Sequence, residues 1–114
     1  MKNPKEKIRN GKAITMVRMA FNSPKMVEFI GQLGFDSVLI DCEHTSASVE
    51  RVEEMVRAAR ASGIAAIVRP EKLDDAIITR YLDCKADGIM APHIDDAAAA
   101  TRLCEGCASA RPCS

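Results

Sequence analysis

The sequence contains 114 residues, of which 47% are hydrophobic, so a single domain of ordinary size with a real core fits this length. Lys and Arg together number 16, as do Asp and Glu, which leaves no charge surplus to bind nucleic acid or an anionic membrane. No apolar run is long enough to span a membrane, and no apolar signal core follows the N-terminal residues. These features predict a cytoplasmic protein that binds neither nucleic acid nor membrane.

Short β-branched runs alternate along the chain with amphipathic segments. Ser23 followed by Pro24 predicts a helix start, and Gly34 and Gly63 predict helix ends. Val52, Val56 and other apolar residues fall on one face of the second helix. The predicted strands are 13–17, 37–40, 64–68 and 88–91, and the predicted helices are 24–33, 48–62, 73–82 and 95–103.

The alternation of strands and helices predicts parallel βα units with right-handed crossovers. A complete barrel of eight such units needs typically ~250 residues, whereas this sequence contains about four units. The predicted fold class is therefore α/β, the N-terminal half of a (β/α)8 TIM barrel, with a small open α/β sheet as the alternative. Strands one and four would both be edges, so we expect a homo-oligomer or aggregation.

Five cysteines divide into two groups. Cys42 and Cys84 stand alone in apolar surroundings, which is typical of buried free thiols. Cys104, Cys107 and Cys113 lie in a segment without helical or strand periodicity, so we assign 1–103 to the barrel domain and 104–114 to an aberrant or disordered tail. A truncation or a stretch read in another frame would explain such an ending. The Cys104-x-x-Cys107 spacing leaves a zinc knuckle or redox pair as an alternative, with His93 as the nearest further ligand.

Polar residues follow the predicted strands, where ligands bind in α/β folds. His44 is either a general base or a hydrogen-bonded loop histidine. Arg69 suits a carboxylate or a developing enolate, or else forms a rim salt bridge with Asp41 or Glu43. Asp83 either pairs with a histidine or is a charge at a helix end. His93 is interpreted as structural, with a residue that lines the pocket as the alternative.

In this order, these residues and their neighbours resemble the HpcH/HpaI aldolase family, the class II metal-dependent pyruvate aldolases of the phosphoenolpyruvate/pyruvate barrel superfamily. The resemblance runs from about residue 3 to residue 100. Its motifs are Leu39-Ile40-Asp41-Cys42-Glu43-His44, Ile67-Val68-Arg69-Pro70, Tyr81-Leu82-Asp83 and Ala86-Asp87-Gly88-Ile89-Met90-Ala91-Pro92-His93.

The resemblance implies reversible aldol cleavage of a 4-hydroxy-2-keto acid to pyruvate, or an analogue, and an aldehyde. It implies that His44 is the general base, that Arg69 binds substrate and steadies the enolate, and that Asp83 raises the basicity of the histidine. The family's divalent metal (Mg²⁺, Mn²⁺ or Co²⁺) is held by a Glu and an Asp further along the barrel, so its ligands are not present in this chain. Lys85 departs from the family, which usually has Gly there.

Two functions follow from these expectations. The first is a carbon–carbon lyase whose chain, as given, is inactive alone because the metal carboxylates are missing. The second is a non-catalytic half-barrel that acts as an assembly or interaction module.

Overall fold

The computed structural model describes residues 3–45 and 47–110, which form helices α1 to α5 and strands β1 to β4. The strands form one parallel sheet in the order β1-β2-β3-β4, as the sequence predicts. No helix in the described part of the chain is long and apolar enough to cross a membrane. The elements are α1 Pro4–Arg9, β1 Met16–Arg18, α2 Pro24–Gln32, β2 Ser37–Asp41, α3 Val49–Ala61, β3 Ala65–Arg69, α4 Asp75–Asp83, β4 Gly88–Ile89 and α5 Ala97–Ala110.

The helix boundaries follow the chemistry of their end residues. Ser23 Oγ accepts from the backbone N–H of Met26 at 3.3 Å and so caps α2. Asp74 caps α4 in the same way. Gly34 and Gly63 have positive φ values of 94° and 74° just beyond α2 and α3, a conformation that glycine adopts without steric cost.

Alternate residues of each strand face the helices, because side chains of a strand point to opposite faces in turn. Val38 and Ile40 of β2 and Ala66 and Val68 of β3 belong to one buried cluster with the apolar face of α3. The intervening residues point to the other face, where the last residues of β2 and β3, Asp41 and Arg69, are direct register partners. The helix side of the sheet is thus the core, and the opposite face carries the charged strand ends.

The structure differs from the sequence prediction at both ends. A short helix, α1, precedes β1, capped by the Asn3 side chain and begun by Pro4. At the C-terminal end, α5 runs to Ala110, so residues 104–110 are helical. The helix predicted to end near Leu103 is therefore longer than the sequence indicated. The alanine-rich start of α5 has high helix propensity, and its packing against α4 extends the helix. Residues 111–114, which include Cys113, lie outside the described residues.

A buried carboxylate just before β2 stabilises the end of the sheet at which the strands begin. Asp36 is 3% exposed and accepts from Lys7 Nζ at 2.8 Å and from the backbone N–H of Thr15 at 2.8 Å. Thr15 Oγ1 donates to the same carboxylate at 3.1 Å. The Lys7 hydrogen bond, followed by the Thr15 backbone bond, lowers the pKa of Asp36 from 3.8 to about 2.

This shift predicts a specific acid sensitivity. Because the pKa of Asp36 is lowered by folding, its stabilisation is complete above about pH 4 and is lost as the pH falls through about 2. We therefore expect Asp36→Asn to lower the free energy of unfolding at pH 7 and to flatten its pH dependence between pH 4 and pH 2. Denaturant unfolding followed by circular dichroism measures both. The control Asp95→Asn, at an exposed position, should retain the wild-type slope, and an unchanged slope in Asp36→Asn would refute the assignment.

Candidate active site

The carboxyl ends of the first three strands bring charged residues together at one rim. Arg18 is the last residue of β1, Asp41 the last of β2 and Arg69 the last of β3. His44 lies three residues beyond β2, in the loop that leads to α3. The rim therefore forms where the parallel strands end, which is where ligands bind in this class of fold.

Asp41 is the centre of this rim, and its carboxylate is fully buried. Its Oδ1 accepts from Arg69 Nε at 3.1 Å, and its Oδ2 accepts from Arg69 Nη2 at 2.5 Å, which makes a bidentate pair. Arg18 Nε also donates to Oδ2, at 3.1 Å. The backbone N–H groups of Glu43 and His44 donate to Oδ1 at 3.0 and 3.3 Å. The hydrogen bonds from Arg69 first, and then those from His44 and the Glu43 backbone, hold the pKa of Asp41 well below its ordinary range despite burial.

The His44 ring is oriented through Nδ1. This nitrogen lies 3.1 Å from Asp41 Oδ2 and 3.2 Å from Arg69 Nη2. A carboxylate only accepts and a guanidinium only donates, so one proton on Nδ1 satisfies Asp41 but not Arg69. We assign the Nδ1–H tautomer, because Arg69 Nη2 already donates to Asp41. Nε2 is then left with its lone pair, on a side chain that is 54% exposed.

The positively charged guanidinium of Arg69 lies beside the His44 imidazole. Its side chain is 21% exposed, and Nε also lies 3.4 Å from Glu43 Oε2. The hydrogen bond to Asp41 raises the pKa of Arg69, so the guanidinium is permanently charged. Among the described residues, Nη1 has no hydrogen-bond partner. The salt bridges from Arg69 to Asp41 and Glu43, which the sequence offered as one alternative, are thus present. The edge of the guanidinium that carries Nη1 remains available to a ligand.

The structure does not bring Asp83 to His44. Asp83 is the exposed last residue of α4, which returns from the rim to the opposite end of the sheet, where β4 begins. The carboxylate that contacts His44 Nδ1 is Asp41 instead. The pairing of Asp83 with His44 expected from the sequence is therefore absent within this chain. The sequence placed Asp83 correctly at a helix end. In a parallel βα repeat, however, a helix ends where the next strand begins, opposite the rim, and the assignment of Asp83 to His44 overlooked this direction.

The contacts of two residues, Glu43 and His93, were not predicted from the sequence. His93, which follows β4, has a left-handed backbone with φ of 46° and places Nε2 2.6 Å from Glu43 Oε1. The same carboxylate oxygen lies 3.8 Å from His44 Nε2. Glu43 thus contacts both histidines and Arg69. The acidic residue directly before His44 was visible in the sequence, but its partner 50 positions later was not.

A neighbouring contact holds the loop that carries His44. Thr45 Oγ1 donates to the backbone carbonyl of Asp41, and Asn22 Nδ2 reaches Thr45 Oγ1 at 3.5 Å. Asn22 Oδ1 is buried without a hydrogen-bond partner among the described residues. The loop is therefore tied to the end of β2 and to the segment that follows β1.

Asp41, Glu43 and His44 are the one group of three potential metal ligands in residues 3–45 and 47–110, with ligand atoms within 4.8 Å of one another. The Arg69 guanidinium contacts all three residues. A divalent cation there would face this fixed positive charge and a buried carboxylate that already accepts from two arginines. The arrangement does not fit a metal ion. Cys104 and Cys107 do not belong to such a group within those residues, and Cys113 lies outside them.

A cavity of about 670 Å³ lies at the other end of the sheet. It is bounded by α1 and by the first residues of β3 and β4, and its lining includes no histidine or cysteine. The residues singled out from the sequence at the strand ends therefore lie outside this cavity.

The assignment of Asp41 as the partner of His44 is directly testable. Asp41→Asn should change the ¹⁵N chemical shifts of His44, because the amide has only one accepting oxygen and lacks the negative charge that fixes the Nδ1–H tautomer. Asp83→Asn, the matched control, should leave both ring nitrogens as in the wild type. Side-chain ¹⁵N–¹H correlation spectra at pH 7.5 measure this. If Asp83→Asn shifts the His44 signals and Asp41→Asn does not, the sequence expectation was right and the contact described here is wrong.

Comparisons with known proteins agree with this architecture. A hydroxypyruvate/pyruvate aldolase of Paraburkholderia phytofirmans is 32% identical over 108 residues, covering 90% of this chain and 40% of that protein. A 4-hydroxy-4-methyl-2-oxoglutarate aldolase of Chaetomium globosum is 34% identical over 92 residues, covering 80% and 34%. The crystal structure of an HpcH/HpaI aldolase from Desulfitobacterium hafniense superposes with a TM-score of 0.83 at 26% identity, covering 90% of this chain and 40% of that one.

The chain thus spans about 40% of the length of relatives that it matches. Its four parallel βα units correspond to part of the barrel of the solved aldolases. The model of the HpcH/HpaI aldolase/citrate lyase family matches residues 15–112, which include the rim and all of α5 up to Ala110. On this match the chain belongs to the HpcH/HpaI aldolase/citrate lyase family.

Proposed function

We propose that this chain provides the proton-transfer and enolate-stabilising residues of a pyruvate aldolase. The reaction is the reversible cleavage of a 4-hydroxy-2-keto acid to pyruvate, or a close analogue, and an aldehyde. One observation carries the proposal: the His44 imidazole, fixed through Nδ1 and open at Nε2, lies 3.2 Å from the Arg69 guanidinium. The names of the related aldolases support the same class of substrate.

In this proposal His44 is the general base. Its Nε2 takes the proton of the C4 hydroxyl, the C3–C4 bond breaks, and the aldehyde leaves. The electron pair of that bond forms the C2–C3 double bond of an enolate, whose negative charge develops on the C2 oxygen. His44 then returns the proton to C3, which yields pyruvate and restores the neutral base.

Arg69 has two roles in the proposal. Its free Nη1 binds the keto acid, and its charge stabilises the enolate oxygen as negative charge develops there. Asp41 fixes the Arg69 guanidinium through two hydrogen bonds, so the guanidinium needs little reorganisation during the reaction. Asp41 also takes the place that the sequence suggested for Asp83, by holding the Nδ1–H tautomer of His44. Asp83 then has no part in this base.

The family implies a divalent metal, Mg²⁺, Mn²⁺ or Co²⁺, which would polarise the keto-acid carbonyl as a Lewis acid. The described rim does not fit such an ion, because Arg69 lies among the three candidate ligands. We therefore assign no metal ligand among these three residues; the resemblance implies that the family's ligands lie further along the barrel.

Turnover measurements on the 114-residue chain test the proposal. A coupled assay with Mg²⁺, Mn²⁺ or Co²⁺ and a panel of 4-hydroxy-2-keto acids should detect no metal-stimulated release of pyruvate. Losing the several kcal/mol that a Lewis-acid metal contributes slows the reaction by orders of magnitude. Pyruvate should nevertheless shift the side-chain ¹⁵N signals of His44 and Arg69, because binding to the arginine requires no metal.

Two controls make the assay decisive. Arg69→Lys keeps a positive charge beside Asp41 but lacks the planar fork, so the pyruvate-induced shift of His44 should shrink strongly. Lys72→Gln, at an exposed position beyond the rim contacts described, should leave it unchanged. If pyruvate shifts neither side chain, the aldolase proposal fails. Metal-stimulated release that disappears in His44→Ala would contradict the expected inactivity and show that copies of the chain assemble a metal site from other ligands.

A second candidate is a half-barrel assembly module, favoured by exposed apolar surface. Phe21, Phe29 and Leu33 are 58%, 53% and 59% exposed, and β1 and β4 are edge strands of the described sheet. We propose that copies of the chain associate through these surfaces. Sedimentation velocity should then show species heavier than the 12.4 kDa monomer, and Phe29→Glu should shift the distribution towards it. A single monomeric species at all concentrations would exclude this candidate.

A further inference from the structure

Arg18 has no role in the proposed reaction, although it lies at the same rim. It is the last residue of β1, and its Nε donates to Asp41 Oδ2 at 3.1 Å. Its side chain is 55% exposed, and its Nη1 and Nη2 have no hydrogen-bond partner among residues 3–45 and 47–110. The edge of the guanidinium that carries both Nη atoms is therefore open. This edge can bind a carboxylate or a phosphate through two parallel hydrogen bonds.

The positive charge of Arg18 is only partly compensated at the rim. In the described part of the chain, Asp41 is the one carboxylate within salt-bridge distance of Arg18, and it already accepts two hydrogen bonds from Arg69. Glu43, the next carboxylate, contacts Arg69 and both histidines. Two guanidinium groups thus share the buried Asp41 carboxylate. An anion at the open edge of Arg18 would offset the repulsion between them.

The order of the strands gives the direction in which a substrate would lie. The sheet order β1-β2-β3 places Arg18 and Arg69 on either side of the strand that leads to His44. Neighbouring strands lie about 4.8 Å apart, so the strands that carry the two arginines are about 10 Å apart. In a 4-hydroxy-2-keto acid, the C4 hydroxyl lies between the keto-acid end and the aldehyde fragment. With the keto acid at Arg69 and the hydroxyl at His44, the aldehyde fragment extends towards Arg18.

We propose that Arg18 is a specificity-determining residue, which binds a carboxylate or phosphate at the far end of the aldehyde fragment. The inference deepens the proposed function and rests on its assignment of Arg69 and His44. An anionic end pairs with the guanidinium, whereas an apolar end leaves the open edge of Arg18 without a partner, so the two kinds of substrate differ in affinity. Asp41 restrains the Arg18 guanidinium through Nε before any ligand binds, which lowers the cost of ordering it.

Two keto acids that differ only at the far end test the proposal. 2-Oxoadipate ends in a second carboxylate, whereas 2-oxohexanoate has a methyl group at the same carbon. The 114-residue chain should bind 2-oxoadipate about tenfold more tightly, because a charge-assisted pair of hydrogen bonds forms with Arg18. In side-chain ¹⁵N–¹H titrations, both ligands should shift His44, and 2-oxoadipate alone should shift the Nε–H signal of Arg18.

A phosphonate analogue identifies the kind of anion. 2-Oxo-5-phosphonopentanoate carries a phosphonate in place of the second carboxylate of 2-oxoadipate. Binding tighter than that of 2-oxoadipate would show that the Arg18 site is suited to a phosphate, and weaker binding would show that it is suited to a carboxylate.

Substitutions of Arg18 provide the controls. Arg18→Gln should remove the preference for 2-oxoadipate and leave the affinity for 2-oxohexanoate as in the wild type. Arg18→Lys should keep part of the preference, because the charge remains but the planar fork is lost. The matched control is Arg51→Gln, at an exposed arginine of α3 whose side chain bonds to Glu54, and it should keep the whole preference.

Equal affinities for the two keto acids in the wild type, or a preference that persists in Arg18→Gln, would overturn the inference. Equal weakening of both ligands in Arg18→Gln would also overturn it, because Arg18 would then serve only to hold Asp41. These results leave the aldolase proposal standing as long as pyruvate shifts His44 and Arg69. If pyruvate shifts neither, the aldolase proposal fails, and Arg18 is judged by its own signal. A response of its Nε–H to 2-oxoadipate then supports an anion subsite, and no response overturns it.

Discussion

A fully buried carboxylate at the end of β2 is the constraint on which the rest of the rim depends. An isolated buried charge costs several kcal/mol, so Asp41 must be compensated by cations and hydrogen-bond donors. Arg69 and Arg18 supply the charge, and two backbone N–H groups supply further bonds. Because these donors come from β1, β3 and the loop after β2, satisfying one carboxylate brings three chain segments into one arrangement.

That arrangement also determines what the rim can do chemically. The bidentate bond to Asp41 turns one edge of the Arg69 guanidinium inwards and leaves Nη1 for an anion. The contact of Asp41 with Nδ1 of His44 leaves the lone pair of that ring on Nε2. The same pairing explains why a metal does not fit among Asp41, Glu43 and His44, although their ligand atoms are close together. A fixed guanidinium already occupies the electrostatic position that a cation would take.

The sequence predicted the sheet and the end of it at which these polar residues meet, because both depend on local patterns. β-branched runs, Ser23 before Pro24 and the glycines after the helices fix the βα repeat, and parallel strands place Asp41, His44 and Arg69 at one end. It failed where distant residues decide the outcome. The contact of His93 with Glu43 depends on a left-handed backbone at His93, and the assignment of Asp83 to His44 ignored the direction in which α4 returns. The end of α5 was missed because packing against α4 outweighs the weak periodicity of its cysteines.

We propose that Arg69 and His44, both held by Asp41, form one anion site at the rim. A crystal structure of the 114-residue chain with oxalate, a planar dianion that resembles the enolate of pyruvate, tests it most directly. We expect an oxalate oxygen about 2.7–3.1 Å from Arg69 Nη1, with the anion beside His44 Nε2 and the Asp41–Arg69 pair intact. Oxalate bound instead at the lower cavity near Lys5 and Lys85, or at the rim with Arg69 released from Asp41, would contradict it.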